Sequence, residues 1–490
     1  MKKIFTLLFG IISILQLHAQ NEIDALRYSQ NNLFGTAKFS SMSGAFGSLG
    51  GDFSTLSHNP AGIAFYQNSE LTYTPNFSLI ENSSYLNNNK NTKNNSGFNT
   101  GNFGYIAVAN NDNQEWKRIN IGFGYNQLAC YNSRFYIETE NDHSSLADLF
   151  LERANGEIID NLDPFHAGPA FWSDLIDLEN NEVDTITNWY TFDNGNYISN
   201  VNSSFNKTQE KSVVTEGFKG EYVFSLGSSY NEQIYFGATI GIPTIEYAEK
   251  SKHTESNFAD TLSMLENFTY TENITAYGSG INLKLGAIMR VGNNTKIGGA
   301  IHSPSYISME EEYSTSVVTE FRTLEENVKF VETSPYGYFT YEITTPWKAI
   351  ASASTILNNQ YLLSAEIEKM DYAFTRFYSD SYSFEDENKN IEDLYTKATN
   401  LKLGAEAKFN PFSVRAGYAF YGSPFKNNTE LSTENFSFGM GIDLGGTFFD
   451  VSYVLSQGRS DHSMYSMETE TAAVLVNTKH YMMFTLGFRY

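Results

Sequence analysis

The residues of this 490-residue chain best suited to chemistry are eight histidines, one cysteine and a set of charged side chains at alternate positions. An imidazole can ligate a metal or move a proton near neutral pH. No His-Glu-x-x-His pair, Gly-x-Ser-x-Gly elbow, phosphate loop or dinucleotide-binding glycine pattern occurs, however. His58, beside Asn59-Pro60, and His302, beside Ser303-Pro304, can each be imagined as a haem ligand, but neither has a matching pocket signature. Cys130 stands alone, which removes an internal disulfide framework and thiolate zinc sites from consideration. The expectation is no catalytic residue, no cofactor and no metal, and the chain does not read as an enzyme.

The charged side chains raise a different possibility. Lys284, Arg290, Glu366, Glu368, Lys402, Glu406, Arg415 and Arg489 fall on the polar face of segments whose other face is apolar. Groups of both signs facing one interior make a mixed polar lumen, not a one-sign ion filter. Two roles stay open for them: pairing with one another and with a plug, or selecting a solute directly.

A period-two pattern along most of the chain sets those positions. Phe436, Phe438, Met440, Ile442 and Leu444 alternate with Ser437, Gly439, Gly441, Asp443 and Gly445. Segments 401–409 and 412–420 repeat the pattern, so each is a strand with one apolar and one polar face. Fourteen such strands can be read between 70 and 490. The connections alternate in length: 111–116, 231–232, 293–294, 358–359, Asn410 and Gly445-Gly446 are short, whereas 81–101, 138–212, 250–267, 313–329, 379–395, 424–433 and 459–476 are long. An even strand number with loop length segregated by end is the pattern of an outer-membrane barrel, and a soluble sandwich has no reason to show it. An aromatic content of 15% suits the two interfacial girdles of such a barrel. The chain ends on an outward-facing series, Met482, Phe484, Leu486, Phe488 and Tyr490, an ending that barrel-assembly machinery is expected to read. The predicted fold is all-β: a transmembrane antiparallel β-barrel of about fourteen strands with an N-terminal hatch in its lumen.

Residues 1–19 carry Lys2, Lys3 and an apolar run from Ile4 to Leu17 that stops at Ala19, the form of a removable signal peptide. No later run is long and apolar enough for a membrane helix. A net charge of −24 opposes binding to nucleic acid, and much of it is expected in solvated loops, as at Glu310, Glu311 and Glu312. Residues 20–68 are rich in Gly and Ser and precede the first strand, so they fill the lumen or hang below it. The barrel proper is 69–490. Its insertion at 138–212, expected on the extracellular side, has helical spacing at 144–154 and 170–178.

Residues 36–66, TAKFSSMSGAFGSLGGDFSTLSHNPAGIAFY, resemble the N-terminal hatch of the FadL/TodX family of outer-membrane transporters for hydrophobic compounds. The resemblance rests on Gly44-Ala45, Asp52 and Asn59-Pro60-Ala61. It extends to Gly280–Gly286 with Gly298–Pro304, and to Leu403–Glu406 with Arg415–Tyr418 and Ser423-Pro424. It implies a plugged fourteen-stranded barrel that passes apolar molecules, such as long-chain fatty acids or aromatic hydrocarbons, without an external energy source. It also implies a kinked third strand that opens sideways to lipid, which Gly122, Gly124 and Asn126 would weaken, unless they simply make room for the plug. Asp52, Asn59, Pro60 and Ala61 would form either a gate or a structural corner. Expected partners are hydrophobic small molecules and outer-membrane lipid, with the chain monomeric. The alternative function is a scaffold or partner in a protein-secretion system.

Overall fold

The computed structural model describes residues 22–490 apart from 88, 111–114, 117, 180–194, 262, 325, 429 and 466–471. The signal segment 1–19 and most of the turn 111–116 lie outside the described residues. Fourteen strands follow in up-and-down order: β1 Glu70–Leu86, β2 Asn89–Asn110, β3 Arg118–Cys130 with Ser133–Asn141, β4 Lys207–Tyr230, β5 Ile234–Ser256, β6 Leu265–Val291 and β7 Thr295–His302 with Tyr306–Phe321. Then come β8, in three pieces from Val328 to Leu357, β9 Tyr361–Asp371 with Arg376–Tyr378, β10 Lys397–Phe409, β11 Phe412–Tyr421, β12 Thr433–Asp443, β13 Thr447–His462 and β14 Ala473–Arg489. Every neighbouring pair is antiparallel, and β1 closes the ring on β14 with Leu71 opposite Phe488.

The alternation in sequence becomes the wall. On β12, Phe438 and Met440 are exposed outward while Ser437 is buried inward. Outward Phe123, Phe224, Leu285, Leu403 and Phe449 continue the same belt around the barrel. A continuous exposed apolar surface of this kind is the lipid-facing band of a transmembrane barrel. Prolines punctuate the ladder. β7 breaks at Ser303-Pro304 and β8 at Ser334-Pro335 and Thr345-Pro346, since proline has no N–H to give a neighbour.

Two expectations need correction. The connection 81–101 is no loop, because β1 and β2 run on as a paired hairpin and turn between Leu86 and Asn89. The segment reads as loop because Asn, Ser, Thr and Lys dominate it, yet the ladder supplies its backbone bonds whatever the side chains. The other long connections shorten for the same reason: β13 extends to His462 and β14 begins at Ala473. In the insertion, the helix Leu146–Ala154 is present, capped by Ser145 in a reciprocal arrangement with Asp148. The second expected helix spans only Ala167–Trp172, and Ile176–Leu178 pairs instead with Tyr197–Ser199 as a small hairpin.

The described part of the insertion packs inward. Leu146, Phe150, Phe171, Leu175 and Tyr197 form one core with Val213 of β4, Tyr270 of β6, Val317 of β7 and Leu475 of β14, which roofs the long-loop end. A second cap there is the helix Glu385–Leu394. Its Ile391 and the neighbouring Phe384 and Tyr395 pack with Ala25 and Tyr28 of the first helix, Glu22–Ser29. From that helix the chain descends inside the barrel to Glu70.

Candidate functional site

The plug makes one circuit of the lumen, bonding to the wall as it goes. Ala37 N donates to Thr485 Oγ1 on β14 (2.7 Å), Ser43 Oγ bonds with Ser437 Oγ on β12 (2.7 Å), and Gly47 N donates to Glu366 Oε2 on β9 (2.8 Å). Lys296 Nζ on β7 then donates to Leu49 O (2.7 Å), and Asn120 Nδ2 on β3 donates to Ile63 O (2.7 Å). The wall glycines form the seat. A Cβ on Gly298 would lie 2.1 Å from Gly47 O, and one on Gly237 would lie 2.1 Å from Pro60 O. Backbone meets backbone there, which no larger residue permits.

The hatch motif holds this path in shape. Asp52 caps the helical turn Phe53–Ser57, accepting from Ser54 N at 2.9 Å and from Thr36 Oγ1 at 2.6 Å. Asn59 caps the next turn, Pro60–Phe65, through Ala61 N (3.1 Å), and its Nδ2 donates to Gly47 O (2.5 Å) and across to Gly299 O on β7 (3.3 Å). Pro60 stands in the first helical position, where its missing N–H costs nothing. Ala61 is fully buried.

His58 joins the plug to a charged cluster on the wall. Its Nε2 donates to Glu366 (2.9 Å), Lys402 lies 3.1 Å from Glu366 and 3.3 Å from Glu368, and Lys348 lies 3.4 Å from Glu368. Burial pulls the His58 pKa down, and the facing Glu366 only partly restores it. The ring is therefore neutral near pH 7, and two carboxylates balance two ammonium groups. Among the described residues, His58, Glu366 and Glu368 place donor atoms within 4.8 Å of one another. The Lys402 ammonium takes the place a metal ion would need beside both carboxylates, so the set does not fit a metal. His302 Nε2 bonds to His58 O (2.7 Å), which makes it a support for the plug.

The remaining lumen charges also pair. Lys284 bonds with Glu221, Arg415 sits 2.5 Å from both Glu406 and Asp450, and Arg489 lies 2.9 Å from Glu70 and from Asp443. Arg290 lies over the Tyr235 ring, 5.3 Å from its centroid, and that ring stacks on Phe65 of the plug at 3.9 Å. A cavity of about 80 Å³ at the short-turn end is lined by Asp52, Glu70, Glu406, Arg415 and Arg489.

A seam interrupts the ladder between β2 and β3. β2 and β3 are paired from Asn110–Arg118 to Asn102–Asn126 and no further. Beyond that point the β2 segment 89–101 pairs with β1 alone, while Ser133–Asn141 pairs only with β4. The upper half of β3 bends inward after Cys130, and side chains bridge it to β1: Asn82 Nδ2 donates to Arg134 O (2.8 Å) and Ser84 Oγ to Tyr136 O (2.5 Å). Asn126 sits at the last paired rung, accepting from Asn102 Nδ2 and donating to Ser57 Oγ of the plug. Gly122 and Gly124 lie in the paired half, where Leu56 and Phe53 of the plug fill the space a side chain would need. At the seam itself the plug touches the strand edge through Asn32, a residue with no signal in the sequence beyond its place in the hatch.

A fourteen-stranded barrel plugged from its own N-terminus, with β2 and β3 parted along their upper halves, defines the class by fold: a plugged transmembrane β-barrel. Solved structures of that kind are similar in fold. A FadL homologue from Pseudomonas aeruginosa aligns over 94% of this chain and 99% of its own, with 10% identity and a TM-score of 0.58. The toluene transporter TodX of P. putida aligns over the same shares with 12% identity and a TM-score of 0.52. No protein-family model and no curated relative matches the chain.

Proposed function

We propose that the chain passes hydrophobic compounds, such as long-chain fatty acids or aromatic hydrocarbons, passively across a Gram-negative outer membrane, as a monomer with residues 1–19 removed. The observation that carries this reading is the seam. β2 and β3 part above Asn102 and Asn126, so the upper halves of two neighbouring strands run on without a shared ladder. An interrupted ladder in a lipid-facing wall is costly unless side chains satisfy it, and β1 supplies them. Behind the seam lie Leu33, Phe34, Val454 and Met483, an apolar surface suited to a greasy solute. A folded insertion roofing the long-loop end favours sideways passage over a straight axial channel.

The test is mass spectrometry of ligands retained after detergent extraction, combined with uptake into proteoliposomes. Bound apolar compounds and protein-dependent uptake are expected. An empty protein with no uptake overturns the reading. A scaffold function is the second reading, favoured by the insertion, whose Trp172 and Phe205 are exposed. In that case a partner protein co-purifies, and deletion leaves uptake unchanged.

A further inference from the structure

We propose that the outer wall of β8 to β11 holds one phosphorylated lipid of the leaflet at the long-loop end. An acyl chain lies in a trough of the apolar belt, and the phosphate sits between Lys369 and Lys397. The trough is a cavity of about 680 Å³ lined by Ala351, Ala353, Ala365 and Ile367, with the rings of Tyr418 and Phe420 along one side. That volume is within the range of ligand pockets. Strand register makes its shape. One rung runs Ala353, Ala365, Leu403, Tyr418 and the next Ala351, Ile367, Leu401, Phe420, so side chains lengthen from β8 toward β11. On the far side, Ile297 and Ile301 of β7 stand exposed opposite Ala353 and Ala349, with Gly299 between them opposite Ala351. Small residues therefore floor a channel between two taller ridges. The inward residues of the same strands are committed to the plug: Ser352 Oγ bonds with Ser48 Oγ (3.0 Å), and Ser364 Oγ donates to Ala45 O (2.7 Å). The channel is closed toward the lumen and opens only toward lipid.

Charge marks its upper end. Lys369 follows Ile367 on the same outward face of β9, is exposed, and forms no ion pair among the described residues. Lys369 stands opposite Thr399 and Asp371 opposite Lys397, so the two lysines are diagonal neighbours on β9 and β10. Long side chains at that spacing can meet on one group. Lys397 lies 3.8 Å from Asp371 with 81% of its side chain exposed, a loose pair that leaves the ammonium turned outward. Trp347 and Phe374 are exposed at the same rim, the level at which amphipathic rings meet headgroups. A chain carrying a net charge of −24 has no general attraction for anionic lipid, so these two ammonium groups act locally. An apolar channel that ends in two ammonium groups is matched to an acyl chain that ends in a phosphate. The site lies across the ring from β2 and β3, so it is separate from the seam and requires only that the barrel sits in a bilayer.

The test titrates bisphosphorylated lipid A, its dephosphorylated form and phosphatidylglycerol into the purified full barrel in detergent. Native mass spectrometry then reads the lipid retained. One lipid A per barrel should survive dilution, and the dephosphorylated form should be held less tightly. Lys369→Gln combined with Lys397→Gln should weaken lipid A roughly thirtyfold, on the scale of two surface lysines facing an anionic headgroup. It should also bring the two forms to equal affinity. Ala353→Phe fills the trough from the lipid side and should abolish retention, with heat-modifiable gel migration unchanged. Lys252→Gln, at an exposed lysine on β5, should change nothing. Lysine-dependent retention of phosphatidylglycerol upholds the site, since a phosphate and a chain are what it reads. Equal retention by wild type and the double lysine variant overturns the phosphate seat, and undiminished retention by Ala353→Phe overturns the trough. Lipid lost evenly from wild type and every variant marks solvent lipid only and overturns the proposal.

Discussion

Asn59 and Gly286 share a space that no third group can enter: a Cβ on the glycine would come within 1.9 Å of the asparagine amide oxygen. One residue belongs to the plug and the other to β6, so this contact fixes how deep the plug sits. Gly286→Ala should leave the barrel assembled and displace the plug, at a cost of about 1–3 kcal/mol in plug docking. Faster proteolysis within residues 53–66, with normal heat-modifiable migration, is the expected result.

Removing the other partner should act differently. Asn59→Ala deletes the cap on Ala61 N and the bonds to Gly47 O and Gly299 O without creating a clash. The barrel should assemble, and uptake of a hydrophobic substrate should change if the motif gates passage. Unchanged uptake in a folded variant leaves Asn59 as a corner only.

Adjacent positions on β12 separate lipid from lumen. Phe438 faces outward, so Phe438→Arg should cost about 2–4 kcal/mol near the bilayer midplane, read from folding titrations into liposomes. Gly439 faces inward, and a Cβ there would meet Ser41 at 2.4 Å. Gly439→Ser should thus spare insertion into the bilayer and loosen the plug. The sequence predicts a mild effect at 439 unless the plug packs tightly there, and it does.

Plug docking should weaken in acid. Folded His58 resists protonation more than a free imidazole of pKa about 6.5, so the docked state is favoured by the neutral ring. Its contribution is complete above that value and declines as pH falls toward the lower, docked pKa. The charged groups around it are Glu366, Glu368, Lys402 and Lys348. Protection of residues 53–66 against hydrogen exchange, referred to the intrinsic exchange rate at each pH, should fall between pH 7.5 and 5.5, and His58→Gln should flatten that dependence.

Topology can be read from labelling. Ser204→Cys lies in the insertion and Gln233→Cys in a short turn, both in a Cys130→Ser background. An impermeant maleimide on whole cells should modify the first and spare the second. The opposite pattern inverts the orientation of the barrel.

The wall was open to sequence reading because its alternation is local: each strand declares its two faces through its own residues, as at 436–444. The turns were equally plain, since Gly445-Gly446 and Asn410-Pro411 cannot continue a ladder. The hairpin 81–101 escaped because pairing, unlike burial, asks little of side chains that stand in water. The plug's seat was half visible. The lumen glycines announced a close approach, but nothing in the chain said that Gly286 would meet Asn59, or Gly298 would meet Gly47. Asn32 could not be foreseen, since its role depends on where β2 stops pairing with β3, at Asn102 and Asn126, far along the chain.

The pairing of β1 with β14 carries a consequence for how the molecule is built. Residues 30–66 lead into β1 and run inside the ring that this pairing closes. One mouth of that ring is roofed by the insertion and by the helix Glu385–Leu394. The plug cannot be threaded into the finished ring, so it must already lie along the curving sheet while β1 is still unpaired. The N-terminal plug thereby acts as a mandrel: the wall is wrapped around it, and the final strand seals it in place.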